Sequence, residues 1–235
     1  MNRTLVVIVC WLSLGAPAAS LVGGVPAADP TLARYAVALF GSRSMCTGIV
    51  LTQDLVLTAA HCAADPRDRK VVGFPKPHPL SDVTEAVVHP QFERKGQAPV
   101  ADLALLKLSK PLPLDFAPVR FNTQPVVEGE RLIVLGYGQG TKTDNKIARS
   151  PRMALLKVSQ QSGMLLLLTD PGYDRSGGCH GDSGGPAFTI HASVPALAGV
   201  MASGDCSGVT VAVSLAAYLD WLKEAARHLG SEWEP

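Results

Sequence analysis

The chain has 235 residues, 47% of them hydrophobic, with 21 Lys and Arg against 20 Asp and Glu and a formal net charge of +1. This is enough apolar material for the core of one or two domains, and it excludes a disordered chain. Near-balanced charge gives no long-range attraction to nucleic acid or anionic lipid, so neither is expected as a partner.

Residues 1–20 read as a signal peptide: Arg3 gives a positive start, residues 5–14 form an apolar run, and Ala16-Pro17-Ala18-Ala19-Ser20 supplies small residues for cleavage after Ala18 or Ser20. That run is shorter than the roughly 20 residues a membrane-spanning helix needs, so no membrane anchor is expected and the mature protein should be secreted or periplasmic. Cleavage removes Cys10 and leaves Cys46, Cys62, Cys179 and Cys206. Four cysteines in an exported chain predict two disulfides, with all three pairings open from arithmetic alone. No CxxC or HxxxH spacing supports zinc, and the loops 66–81 and 140–151 do not read as an acidic calcium loop, so no metal is expected.

Short apolar segments follow at 35–40, 48–51, 55–58, 103–108, 131–135, 153–158, 164–169, 186–190, 196–201 and 209–213. Separated by turn residues, they predict an all-β sandwich or barrel. A proline-rich stretch at 110–118 stiffens the middle of the chain and marks the junction of two domains, 21–117 and 118–235. Leu215, Leu219, Leu222, Ala226 and Leu229 recur at helical spacing, with Ser214 as N-cap and Gly230 as terminator, so a C-terminal amphipathic helix closes the chain.

Three segments carry chemistry. Gly181-Asp182-Ser183-Gly184-Gly185-Pro186 puts a serine in a tight glycine turn, Thr58-Ala59-Ala60-His61-Cys62 offers a histidine, and Ala101-Asp102-Leu103 offers a carboxylate at the head of an apolar strand. A serine hydroxyl needs a base within hydrogen-bond reach to become a nucleophile, and imidazole, which titrates near neutral pH, is suited to that role. Each segment alone is commonplace: a packed histidine, a turn aspartate, a glycine loop. His89-Pro90 reads as a surface or turn element without chemistry.

Together, in the order His, Asp, Ser, these segments resemble the chymotrypsin and trypsin family of serine endopeptidases, which act through a Ser-His-Asp triad. The resemblance covers the whole mature chain. It implies two antiparallel β-barrels with a C-terminal α-helix and a catalytic set of His61 as base, Asp102 as its orienting acid and Ser183 as nucleophile. The amides of Gly181 and Ser183 would form the oxyanion hole. It implies the pairings Cys46 with Cys62 and Cys179 with Cys206, no cofactor, polypeptide substrates, proteinaceous inhibitors and a monomer. Leu21-Val22-Gly23-Gly24 resembles the family's activation sequence, in which a freed Leu21 ammonium would pair with Asp182.

By the same resemblance Gly177 stands at the base of the primary specificity pocket, with Gly178, Gly204 and Gly208 along its walls and His180 at the rim. No acidic residue stands at Gly177, which predicts cleavage after medium or large apolar residues, unless Asp205 enters the pocket and admits Arg or Lys. The chain departs from the family where Ala202-Ser203-Gly204 replaces the usual Ser-Trp-Gly, and the segment Gly204-Asp205-Cys206 is short. The rival reading from another class is an exported binding protein that keeps the fold without activity. It predicts a replaced triad residue, and here none is replaced. An esterase using the same triad is a third reading, separated by whether amides turn over.

Overall fold

The computed structural model describes residues 21–27, 30–41, 44–63, 70–72, 81–93, 100–141, 150–172, 175–189 and 195–235. The expected signal peptide, Cys10 and most of the loops 66–81 and 140–151 lie outside them.

Strands dominate. The first barrel comprises β2 (Ala36–Phe40), β3 (Met45–Val50), β4 (Leu55–Thr58), β5 (Lys70–Val72), β6 (Ser81–Val88) and β7 (Ala104–Leu108). They close in the order β2-β3-β4-β7-β6-β5 with antiparallel pairing throughout. Both side-chain rows of β2, β3 and β4 are almost wholly buried, because one faces the barrel interior and the other faces the second barrel.

The second sheet is built from β1 (Val25–Pro26), β8 (Arg120–Phe121), β9 (Arg131–Gly136), β10 (Arg152–Ser162), β11 (Leu165–Thr169), β12 (Pro186–Thr189), β13 (Ala196–Gly204) and β14 (Val209–Ser214). β9 pairs with both β12 and β10, which curls the path β10-β11-β14-β13-β12-β9 back on itself. Its interior is the cluster around Leu132, Val134, Leu156, Leu166, Ala187 and Met201. The fold is the expected all-β one of two antiparallel barrels.

Between the barrels lies a core containing Ile49, Leu57, Leu105, Tyr137, Phe188 and Val213. Strand centres rich in Leu, Val and Ile supply it, and a fully buried side chain of this kind contributes roughly 1.5 to 3 kcal/mol. A short helix, α1 (Pro30–Ala33), precedes the first barrel.

The C-terminal helix α2 (Leu219–His228) follows a 3-10 turn, Ala216–Tyr218. Leu222, Ala225 and Ala226 bury its apolar face. Ser214 is not its N-cap. That residue is the last of β14, and the helix starts five residues later at Leu219 with no side-chain cap. Gly230 does end it: φ is +69°, and the amides of Gly230 and Ser231 donate back to Arg227 and Ala226 at 3.0 and 2.9 Å. His89, expected as a surface or turn residue, does open a turn, where its carbonyl accepts the Phe92 amide at 2.9 Å, but its side chain is buried, with a relative exposure of 7%. Its ring packs against Tyr218 and Trp221 at centroid distances of 5.1 and 4.6 Å, which locks α2 to the first barrel.

Candidate active site

His61 sits in the 3-10 turn Ala60–Cys62 that follows β4, and Cys62 is bonded to Cys46 on β3. The turn is thereby fixed to two strands. Asp102 enters just before β7. Ala101 has φ +48°, and the Leu103 amide donates to the Ala101 carbonyl at 2.8 Å, so the chain turns tightly around Asp102. A non-glycine residue in that left-handed region costs energy, and here it stands next to a carboxylate that is turned inward.

Asp102 is fully buried and both its oxygens are used by His61: Oδ2 lies 2.7 Å from Nδ1, and Oδ1 accepts the His61 amide at 2.9 Å. A carboxylate so placed fixes the ring's orientation and assigns the proton to Nδ1, which leaves Nε2 free to accept one.

Ser183 lies in the turn before β12. Its carbonyl accepts the Thr47 amide from β3 at 2.8 Å, and Cys62 Sγ lies 3.9 Å from the same oxygen, so the serine turn and the histidine turn are neighbours. Gly184 allows this approach: a Cβ there would collide with Thr58 Oγ1 and the Thr47 carbonyl, and its φ of +84° is left-handed. The Ser183 hydroxyl faces the Ala202 carbonyl at 3.4 Å. Gly181 has φ +96°, and among the described residues neither its amide nor that of Ser183 donates to a protein acceptor.

Thr47 was not singled out by sequence reading. Its hydroxyl accepts the Tyr137 amide at 3.1 Å and donates to the Gly181 carbonyl at 2.9 Å, which joins both barrels and the serine loop through one side chain. A polar residue beside a disulfide cysteine in an apolar strand was the only signal.

Leu21 and Asp182 are both buried. Val22 and Gly177 exchange two backbone hydrogen bonds of 3.0 Å, which seats the segment after Leu21 on the strip that leads to Ser183. Asp182 accepts the amides of Gly138 at 2.8 Å and Cys179 at 2.9 Å. Desolvation outweighs those two bonds and pushes its carboxyl up to about 7.

The disulfides Cys46–Cys62 and Cys179–Cys206 are the expected ones. Asp205 lies at the surface, where its carboxylate accepts the Ser207 hydroxyl at 2.6 Å and the amides of Ser207 and Val209 at 2.7 and 3.0 Å. Burial raises its pKa, and these bonds, with the Ser207 hydroxyl foremost, more than offset that and hold it below the ordinary value. It caps its own turn and brings no charge to the site. His180 is exposed.

Gly177, Gly178, Gly204 and Gly208, expected along the specificity pocket, lie close together: a Cβ on Gly204 would overlap the Gly178 carbonyl, and one on Gly177 would lie 3.2 Å from Gly208 Cα. The only three side chains that could meet at one metal ion among the described residues are Cys46, Cys62 and His61, and both sulfurs are in the disulfide.

Two linked barrels, with a buried His–Asp pair on a turn next to that of a glycine-flanked serine, define a chymotrypsin-type hydrolase fold. The family model for trypsin matches residues 21–222. The chain is 29% identical to granzyme M of Rattus norvegicus, over 92% of this chain and 92% of that protein. It is 30% identical to serine protease SP24D of Anopheles gambiae, over 72% and 68% of the two chains. Among solved structures it resembles neuropsin, a serine protease expressed in the limbic system of mouse brain, with TM-score 0.70 and 20% identity over 85% of this chain and 97% of that one. The chain belongs to the trypsin family of serine endopeptidases.

Proposed function

We propose that this protein, exported and cut before Leu21, hydrolyses peptide bonds through an acyl-enzyme on Ser183. The observation that carries the reading is the double grip of buried Asp102 on His61, through the ring at 2.7 Å and the backbone amide at 2.9 Å. With the proton held at Nδ1, Nε2 takes the Ser183 proton as Oγ attacks the substrate carbonyl. The new C–O bond drives the carbonyl electron pair onto oxygen, where the amides of Gly181 and Ser183 receive it. His61 then protonates the departing amine as the C–N bond breaks, and water repeats the sequence to release the acid. Each oxyanion donor is worth about 3 to 4 kcal/mol of transition-state stabilisation. For the first step the Ser183 hydroxyl turns about χ1 from the Ala202 carbonyl toward His61.

The new Leu21 ammonium pairs with Asp182 and keeps Gly181 in position. Support comes from the burial of both residues and from the Val22–Gly177 bridge, which leads Leu21 into the same region. The enzyme acts outside the cytoplasm as a monomer on polypeptides, under the control of proteinaceous inhibitors where these occur, and needs no cofactor.

The test is cleavage of a denatured polypeptide by the mature chain with Ser183→Ala as the paired control. Cleavage by the first and none by the second is expected. Equal cleavage by both would overturn the assignment of Ser183.

A further inference from the structure

Two strips of backbone flank the nucleophile. Residues 177–181 lead into it, and residues 202–204 run past it, with Ala202 carrying the carbonyl that the Ser183 hydroxyl faces. The family resemblance implies that the P1 side chain of a bound peptide enters between them. Here the strips are in contact. A Cβ on Gly204 would lie 2.8 Å from Gly178 Cα, one on Gly178 would lie 3.8 Å from Gly204 Cα, and one on Gly177 would lie 3.2 Å from Gly208 Cα.

Hydrogen bonds close the same seam: the Cys206 amide donates to the Gly178 carbonyl at 3.2 Å, and the Gly178 amide donates to Thr210 Oγ1 at 2.7 Å. Thr210 is fully buried, and its hydroxyl lies 3.3 Å from the Cβ positions of both Gly177 and Gly178, filling the floor.

The cause is covalent. β13 ends at Gly204, and Asp205 alone separates it from Cys206, whose Cα stands 4.4 Å from that of Cys179. Consecutive Cα atoms are about 3.8 Å apart, so Gly204 is held within about 7 Å of Cys206 and cannot swing away from Gly178 without breaking the bridge or unpairing β13 from β14. Pairing of Gly204 with Thr210 secures the other side.

We propose that this primary subsite admits no side chain larger than a methyl group, so that cleavage falls after glycine or alanine. The inference rests on the acyl-enzyme reading above and adds the substrate class to it. In this proposal the glycines expected along the pocket walls are the residues that let those walls meet. Forcing a larger group into a packed seam carries the cost of overpacking, which corresponds to a loss of about tenfold or more in kcat/KM.

The test uses the mature chain and N-acetyl tetrapeptide anilides that differ only at P1, which is Gly, Ala, Leu, Phe or Arg. A small ethyl fluorophosphonate, which needs no P1 pocket, is run beside them to titrate Ser183. Labelling with kcat/KM for Ala or Gly at least about tenfold above Leu, Phe and Arg supports the proposal. Labelling with faster turnover of Leu, Phe or Arg overturns it, and so does labelling with no anilide cleaved. Absence of labelling overturns the acyl-enzyme reading itself and this inference with it.

A second variant, Cys179→Ala with Cys206→Ala, removes the tether and should raise the Leu-to-Ala ratio of kcat/KM. An unchanged ratio in the folded variant contradicts the tether as the cause. If the variant does not fold, the P1 series on the native chain still decides the proposal.

Discussion

Thr47 on the first barrel holds the carbonyl of Gly181 on the second, with its hydroxyl 2.9 Å from that oxygen while accepting the Tyr137 amide at 3.1 Å. Holding this carbonyl restrains ψ at Gly181 and anchors the loop that carries the Gly181 amide, one of the two proposed oxyanion donors. Thr47→Val leaves a buried amide and a carbonyl without this partner, a cost of about 1–3 kcal/mol. We expect kcat for p-nitrophenyl acetate to fall about tenfold to a hundredfold with KM nearly unchanged, and Thr47→Ser to restore it. A rise in KM with kcat intact would contradict this positioning role.

Asp102→Asn keeps the size of the buried side chain but offers an amide to His61 where a carboxylate stood. The ring is then driven toward the wrong tautomer, and the loss in kcat should be about 10⁴, the magnitude known for the same change in a Ser-His-Asp triad. Hydrolysis of a P1-alanine anilide reads it out, with thermal unfolding as a check on the fold. A loss under tenfold would mean that Asp102 orients nothing.

Asp182 predicts different pH dependences before and after processing. In a chain extended beyond Leu21 no ammonium is formed there, and burial raises the carboxyl from 3.8 to about 7. Between those values the folded chain keeps a proton that the unfolded chain has released, so stability is fully present below about 3.8 and is lost as pH rises through about 7. Urea midpoints of an extended chain should therefore fall across that range more steeply than those of the extended Asp182→Asn variant. Parallel slopes would contradict the buried, unpaired carboxyl.

The terminus itself gives a further prediction. A chain keeping a methionine before Leu21 should have less than about a hundredth of the activity of one beginning at Leu21, because a buried pair broken on one side costs about 3–5 kcal/mol. Comparing the two on p-nitrophenyl acetate checks it. In the processed chain activity should also fall at alkaline pH, since pairing raises the ammonium above its unfolded value and the active form is lost as pH passes that raised value. Equal activity of the two chains would remove the Leu21 ammonium from the account.

Much of this was legible in residue order. Strands with solid apolar runs, such as Leu55–Thr58 and Leu165–Thr169, stood where the pattern put them. β6 did not, because Asp82, Thr84 and Glu85 break its apolar run and four of its eight residues are exposed. β10 runs on to Ser162 through Ser159, Gln160 and Gln161, past the last apolar residue, since its pairing with β11 depends on backbone bonds and carries a bulge between Val158 and Gln160.

The two disulfides and the His, Asp and Ser segments were readable because chemistry restricts residue type at those positions. The close approach of Gly178 and Gly204 was less so, because a glycine that opens a cavity and a glycine that lets two backbones touch are the same letter. The turn at His89-Pro90 was legible but the burial of its ring was not, because nothing local announces that Tyr218 and Trp221, more than a hundred residues on, cover it.

The central claim is that Ser183 is acylated with His61 as its base. Intact-mass measurement after stoichiometric reaction with a fluorophosphonate, followed by peptide mapping, tests it most directly. One adduct per chain, located on Ser183 and lost in His61→Ala, is the predicted result. An adduct elsewhere, or equal labelling of Ser183 without His61, would contradict it.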